Sequence, residues 1–309
     1  ARNGQMLVAT SWDARALVYS RDNLHQEPRT IKLGDHPILS ACEMKGDHWA
    51  LASGCDHKAR RWDLQTMDSD KIEVVASHEA PIKGIKSLDA NTFVTGSWDK
   101  NVCIWDLRMS KKPAGKHTLR DKVYSLDGIG GMIVVGVAEK KGLTFDMRKF
   151  FEGPIHSSTS LKFQLRQVKC MPDKTGYLAS SIAGRVRVEY VDESKEKSFS
   201  FKCHRVANDV YSVNAMSFHP LGTFATGGGD GSISFWDKEA KQRLKQFPRQ
   251  HSSISALEFT PDGSGIAYAV SYDYSMGKCA KDRKRANEIY CMPVNERDVN
   301  PRRTRVAPR

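Results

Sequence analysis

No apolar run in this chain of 309 residues approaches the roughly 18 residues that a membrane-spanning helix needs. The opening residues do not read as a signal peptide, and long helical periodicity is missing throughout. The seven cysteines are an odd number, and no Cys-x-x-Cys pair has zinc spacing. A disulfide or zinc framework is therefore not expected. Cysteines such as Cys103, set between Val102 and Ile104, read as buried free thiols of a reducing compartment. There is no His-x-x-x-His metal pair. "GGGDGSIS" (227–234) lacks the Gly-Lys-Ser/Thr of a phosphate cradle and reads as a turn. "SSIAG" lacks the Gly-x-Ser-x-Gly frame of a serine nucleophile. With no nucleophile, base and orienter in a recognisable set, neither an enzyme activity nor a cofactor is expected.

What is present is a chain that is 39% hydrophobic and 27% charged, as in a soluble globular protein long enough for one large β domain with a sizeable core. The net charge of +12 points toward acidic partners: acidic peptides, phosphopeptides or nucleic acid. Part of the excess is local. "KCAKDRKRAN" (278–287) and the tail "PRRTRVAPR" (301–309) read as solvated basic segments.

One frame recurs. "ATSWDARALVYS" (9–20), "ASGCDHKARRWD" (52–63), "TGSWDKNVCIWD" (95–106) and "TGGGDGSISFWD" (226–237) each place an aromatic six residues after a turn aspartate. The first three turn aspartates, Asp13, Asp56 and Asp99, stand 43 residues apart. Weaker copies follow at "GVAEKKGLTFD" (136–146) and "SSIAGRVRVEYVD" (180–192), and a seventh unit begins with "SALEFTPDGSGIAYAVSYDYS" (255–275) and ends in "EIYCMPV" (288–294). A period of about 40–46 residues is that of a propeller blade. β-branched and aromatic runs joined by polar turns, with an Asp-Gly in the sixth unit, read as hairpins. Further strands are expected upstream at 81–89, 122–129, 167–172, 213–220 and 254–261. The predicted architecture is all-β, a single seven-bladed β-propeller over residues 1–300 with a basic tail at 301–309.

The spacing has a hydrogen-bonding rationale. A histidine on the loop entering a blade can bond the turn aspartate, with a strand Ser or Thr and the Trp indole nearby. His36, Ser53, Asp56 and Trp62 fit one such tetrad, and His78, Thr95, Asp99 and Trp105 another; Asp230 and Trp236 belong to a third. A buried carboxylate is costly unless paired, so these groups are read as blade locks. Their recurrence argues against a catalytic pair.

Function is sought where the pattern breaks. "AGRVRVEYVD" (183–192) replaces the turn aspartate with Ala183 and the aromatic with Glu189, and sets Arg185 and Arg187 on alternate positions of one strand. Just beyond lie Lys202, His204 and Arg205, cations able to clamp carboxylates or phosphates.

"SSIAGRVRVEYVD", "FKCHR" and "YSVNAMSFHPLGTFATGGGDG" resemble the WD-repeat propellers that bind GLEBS motifs, a family with a Bub-type spindle-checkpoint branch and a nuclear-pore mRNA export branch. "ATSWD", "HEAPIK", "TGSWDK" and "VSYDYSMG" fit as well, so the resemblance spans essentially the whole chain. "EKKGLTFDMRKF", "SLKFQLRQVKCMPDKTGYLASSI" and "KQRLKQFPRQHSSISALEF" look more like the checkpoint branch, which is favoured. "ASGCDHKARRWDLQ" and "SFWDKEAKQRLK" lean toward the export branch.

The resemblance implies an adaptor that holds the GLEBS segment of a checkpoint kinase or of a nuclear pore protein. In the checkpoint branch it also implies docking of phosphorylated motifs of a kinetochore scaffold. Arg185 and Lys202 would meet the acidic residues of the GLEBS peptide, and Trp12 and Trp98 would supply aromatic platforms. Arg205 and His204 are the weaker, phosphate-binding candidates. The implied location is the nucleus, with the kinetochore in mitosis or, for the export branch, the nuclear envelope. The N-terminal strand that closes the family's ring is expected to lie outside this sequence, and Ala183 stands where the family has an acidic residue. Single-stranded RNA binding by the basic face is a reading from a different class, with no RNA-binding motif of recognised frame behind it.

Overall fold

The computed structural model describes residues 5–23, 26–46, 48–109, 112–158, 161–191, 197–275, 277 and 287–301. All but the last residue of the basic segment 278–287, and the tail after Pro301, lie outside that set. The fold is the expected one, an all-β seven-bladed β-propeller. The chain groups into two compact units, Ala1–Thr159 and Ser160–Arg309, which carry four and three blades.

Each blade is an antiparallel meander. In the first unit the blades begin with the inner strands Met6–Thr10, Ile38–Glu43, Ile82–Ser87 and Val123–Ile129. In the second they begin with Leu165–Cys170, Val213–Phe218 and Ile254–Phe259. Among the described residues the first and last blades have three strands, and the others four. Six of the seven inner strands carry a register shift near their start, as at Ile82/Gly84 and Val213/Ala215. Such a bulge adds local twist to a strand. One backbone bond recurs too. The residue just before the turn position donates to the start of the inner strand: Cys55 to Pro37, Trp98 to Pro81, Ile182 to Gln164 and Gly229 to Ser212. These repeats make positions in different blades physically equivalent.

The core lies between neighbouring sheets, because a sheet with one apolar face must bury it against another layer. Ala16, Val18 and Ile31 of the first blade pack on Ala50, Ala52 and Trp62 of the second. In the other unit Val186, Val188 and Tyr190 of the fifth blade pack on Val213, Met216 and Phe224 of the sixth. The six described cysteines are unbridged; Cys103, Cys170 and Cys203 are buried, whereas Cys42 and Cys55 are half-buried and Cys291 is exposed. Burial pushes the thiols of Cys103 and Cys203 up to about 12.

Candidate peptide-binding site

The third blade contains a complete hydrogen-bond chain. The Trp105 indole donates to Thr95 Oγ1 at 2.8 Å, Thr95 lies 2.8 Å from His78 Nε2, and His78 Nδ1 lies 2.8 Å from Asp99. With Nδ1–H donating to the carboxylate, Nε2 accepts from the threonine, so one neutral imidazole satisfies every member. The sixth blade repeats the chain through Trp236, Thr226, His204 and Asp230 at 2.9, 2.8 and 2.8 Å, with Ser232 adding a hydroxyl to Asp230.

This corrects the reading of His204. Its side chain is 1% exposed and that of Asp230 is 2% exposed, and both ring nitrogens are engaged. His204 is therefore removed from the phosphate-binding set and becomes the histidine of the sixth-blade lock, with Thr226 and Ser232 as partners the sequence had not named. The lock also fixes its surroundings: a Cβ at Gly228 would lie 2.2 Å from His204 Nδ1.

The second-blade tetrad is not formed. Arg60, not His36, pairs with Asp56; His36 is exposed. Ser53 donates instead to the Ile82 carbonyl at 3.3 Å, and the indole nitrogen of the fully buried Trp62 has no partner among the described residues. Arg60 prevails because it carries a permanent charge in a forked donor that suits a carboxylate.

These arrangements set a pH response. Burial pushes Asp230 up, but the hydrogen bonds from His204 and from the Ser232 hydroxyl and amide outweigh it and hold the carboxyl below its ordinary value. Asp99 is likewise lowered against burial by the Asn101 amide and His78. Burial lowers His78 despite the pull of Asp99. All three bind protons more weakly folded than unfolded, so each contributes stability that is lost on acidification. The unfolding midpoint should fall as the pH drops below about 6.5, then more steeply below about 4. A midpoint that held constant from about pH 7 to about pH 3.5 would contradict this assignment.

Among the described residues the fifth blade has no lock of this kind. Arg187 donates to Glu189 at 2.6 Å, a pair with side chains 20% and 6% exposed. Its neighbour Arg185 makes no ion pair among the described residues, and its direct cross-strand partner is Lys202. Lys202 is exposed and Arg185 half-buried. Arg205 is exposed and donates to the Ala183 carbonyl at 3.0 Å. Gly184 turns the chain into this strand at φ +56, and a Cβ there would lie 2.6 Å from the Cys203 carbonyl. The approach that sets Arg185 opposite Lys202 thus requires glycine at 184.

In the first unit, Trp12 sits 65% exposed in the turn between the strands Met6–Thr10 and Arg15–Ser20. Trp98 is half-buried at the equivalent turn of the third blade, with its indole nitrogen buried and without a partner among the described residues. The structure therefore groups Arg185, Lys202 and Arg205 in one unit and places Trp12 and Trp98 in the other. Arg60, Thr226 and Ser232 are the contributors that spacing alone had not flagged.

Blades closed by a His–Thr–Asp–Trp chain, in a repeat of this period, define a WD-repeat β-propeller. Residues 70–106 and 195–237 match the family described as WD domain, G-beta repeat, and these two stretches hold the two complete chains. The chain is 35% identical to the mRNA export factor GLE2 of Chaetomium thermophilum, over 96% of this chain and 85% of that protein. It is also 35% identical to the mitotic checkpoint protein BUB3.1 of Arabidopsis thaliana, over 98% and 90%. To the Poly(A)+ RNA export protein of Schizosaccharomyces pombe it is 34% identical, over 96% and 87%. The chain belongs to the GLEBS-binding WD-repeat propeller family that these checkpoint and export proteins share.

Proposed function

We propose that the protein is a non-enzymatic adaptor in which Arg185 and Lys202 hold the acidic residues of a GLEBS-type segment from a partner. The observation that carries this is the cross-strand pair of cations without a counter-charge among the described residues. Like charges directly opposite in a sheet are destabilising, and a partner carboxylate set between them relieves that repulsion while accepting charge-assisted hydrogen bonds. Arg205, angled toward the same strand by its bond to Ala183, is the candidate for a further anionic group. Trp12 and Trp98 are proposed as aromatic contacts. In isothermal calorimetry an acidic GLEBS-type peptide should bind, and more weakly as salt screens the charges. Absence of heat with folded protein would overturn the proposal.

For the cellular task, two of the three relatives named above are export proteins, which supports delivery of messenger ribonucleoprotein to a nuclear pore protein. The second reading is recruitment of checkpoint kinases and a phosphorylated scaffold to kinetochores. It is supported by equal identity to BUB3.1 and by the stretch "SLKFQLRQVKCMPDKTGYLASSI". Both tasks place the protein in the nucleus. Imaging of the tagged protein separates them: a nuclear rim in interphase supports export, and paired mitotic foci on unattached chromosomes support the checkpoint role.

A further inference from the structure

His204 carries a backbone conformation that its counterpart lacks. In the third blade the lock histidine, His78, also makes a recurring backbone bond: its amide donates at 2.9 Å to His57, the residue after the turn position of the blade before. The same bond runs from Leu33 to Ala14 and from Leu119 to Lys100. Ahead of the sixth blade it is made by Cys203, which donates to Gly184 at 3.0 Å, so the histidine comes one residue late. It turns toward Asp230 through a left-handed backbone, φ +49, whereas His78 needs none. A residue with a β-carbon rarely adopts that conformation, and it persists only where the surroundings over-determine it. Here they do: the ring lies 2.8, 3.2 and 2.8 Å from Asp230, Ser232 and Thr226.

This bend stands between two cations of the peptide site. Lys202 ends the strand before it, and Arg205 begins a short ribbon after it, Arg205–Val206 paired with Asp209–Val210. The His204 carbonyl accepts from the Tyr211 amide at 3.1 Å and so closes the base of the ribbon. Arg205 then folds back onto the Ala183 carbonyl, two residues before Arg185. A backbone relaxed to negative φ at 204 would send the chain out in another direction and carry Arg205 away from Ala183. We infer that His204 is a positioning residue of the peptide site: the sixth-blade lock holds its left-handed backbone, and that backbone brings Arg205 to the strand that carries Arg185. The inference rests on the reading of Arg185, Lys202 and Arg205 as the anion-binding set.

Because His204→Ala also destabilises the fold, the test uses Thr226→Val. This variant takes the shared hydroxyl from His204 and from the Trp236 indole and alters none of the cations. In calorimetry on the full chain, well below the unfolding midpoint, it should bind an acidic GLEBS-type peptide about fivefold more weakly or worse. Thr226→Ser, which keeps the hydroxyl, should restore the affinity. The loss should shrink below about twofold when Arg205 is already Ala, since the lock acts through that residue. Thr95→Val makes the same deletion in the third-blade lock; it should lower the unfolding midpoint to a similar degree and leave affinity within about twofold of native. Native affinity in Thr226→Val, an equal loss in the Arg205→Ala background, or an equal loss in Thr95→Val would each overturn the positioning role. Failure of the native protein to bind the peptide is a separate result: it removes the reading of the cations, and the role given to His204 with it.

Discussion

Arg185→Glu should abolish binding of an acidic GLEBS-type peptide while leaving the protein folded. Removing one partner of a desolvated, hydrogen-bonded charge pair costs about 2–5 kcal/mol, a weakening of roughly 30-fold to several thousandfold, and reversing the charge adds repulsion. The folded state loses little, because Arg185 makes no ion pair among the described residues. It stands to gain, since the introduced carboxylate would face Lys202 across the strands, and an opposite-charge pair contributes about 0.2–1 kcal/mol. Calorimetry and thermal unfolding on the same sample read both effects. Unaltered affinity would remove Arg185 from the site, whereas loss of affinity together with a large drop in the unfolding midpoint would mean that the residue is structural.

His204→Ala should behave in the opposite way. The substitution leaves Asp230 buried without its main counterpart and strips Thr226 of its acceptor, and breaking a buried pair in this fashion costs about 3–5 kcal/mol. In a chain of this length that lowers the unfolding midpoint by roughly 5–10 °C. Arg205→Ala, one residue along, removes an exposed side chain with a single bond to a backbone carbonyl and should shift the midpoint by about 1 °C or less. If His204→Ala instead unfolded like the native protein and lost only phosphopeptide affinity, the lock would be misassigned and the phosphate role restored.

The contrast between these two neighbours shows what was legible in the sequence. The blade period could be read because a fixed hydrogen-bond geometry forces the turn aspartate and the aromatic into constant spacing. The third-blade tetrad followed directly, its histidine and aspartate being 21 residues apart. In the sixth blade the same pair is 26 residues apart. The extra residues belong to a two-stranded ribbon, Arg205–Val206 with Asp209–Val210, so His204 sits outside the expected window. Strand alternation placed Arg185 and Arg187 alike, but it does not say which of them a nearby acid will neutralise. Glu189 takes Arg187 and leaves Arg185. The second blade misled for a related reason: proximity in sequence cannot rank two bases competing for Asp56, whereas the geometry of a strand pointing Arg60 inward can.

Gly228 carries a consequence for how this molecule tolerates change. Because His204 and Asp230 close over it, with a Cβ placed 2.2 and 2.6 Å from their atoms, no larger residue enters without opening the sixth blade. The matching strand-end position of the fifth blade holds Ser181, whose hydroxyl bonds the Ala183 amide and the Arg185 carbonyl instead of a lock. The adjoining strand could therefore give up its lock and still fold through the Arg187–Glu189 pair. In the proposed reading, recognition is housed in the fifth blade, where Arg185 faces Lys202, and rigidity in the sixth, where Gly228 admits no side chain. A designer wishing to redirect this propeller to another peptide would rewrite residues 183, 185 and 202 and leave 204, 226, 228 and 230 untouched.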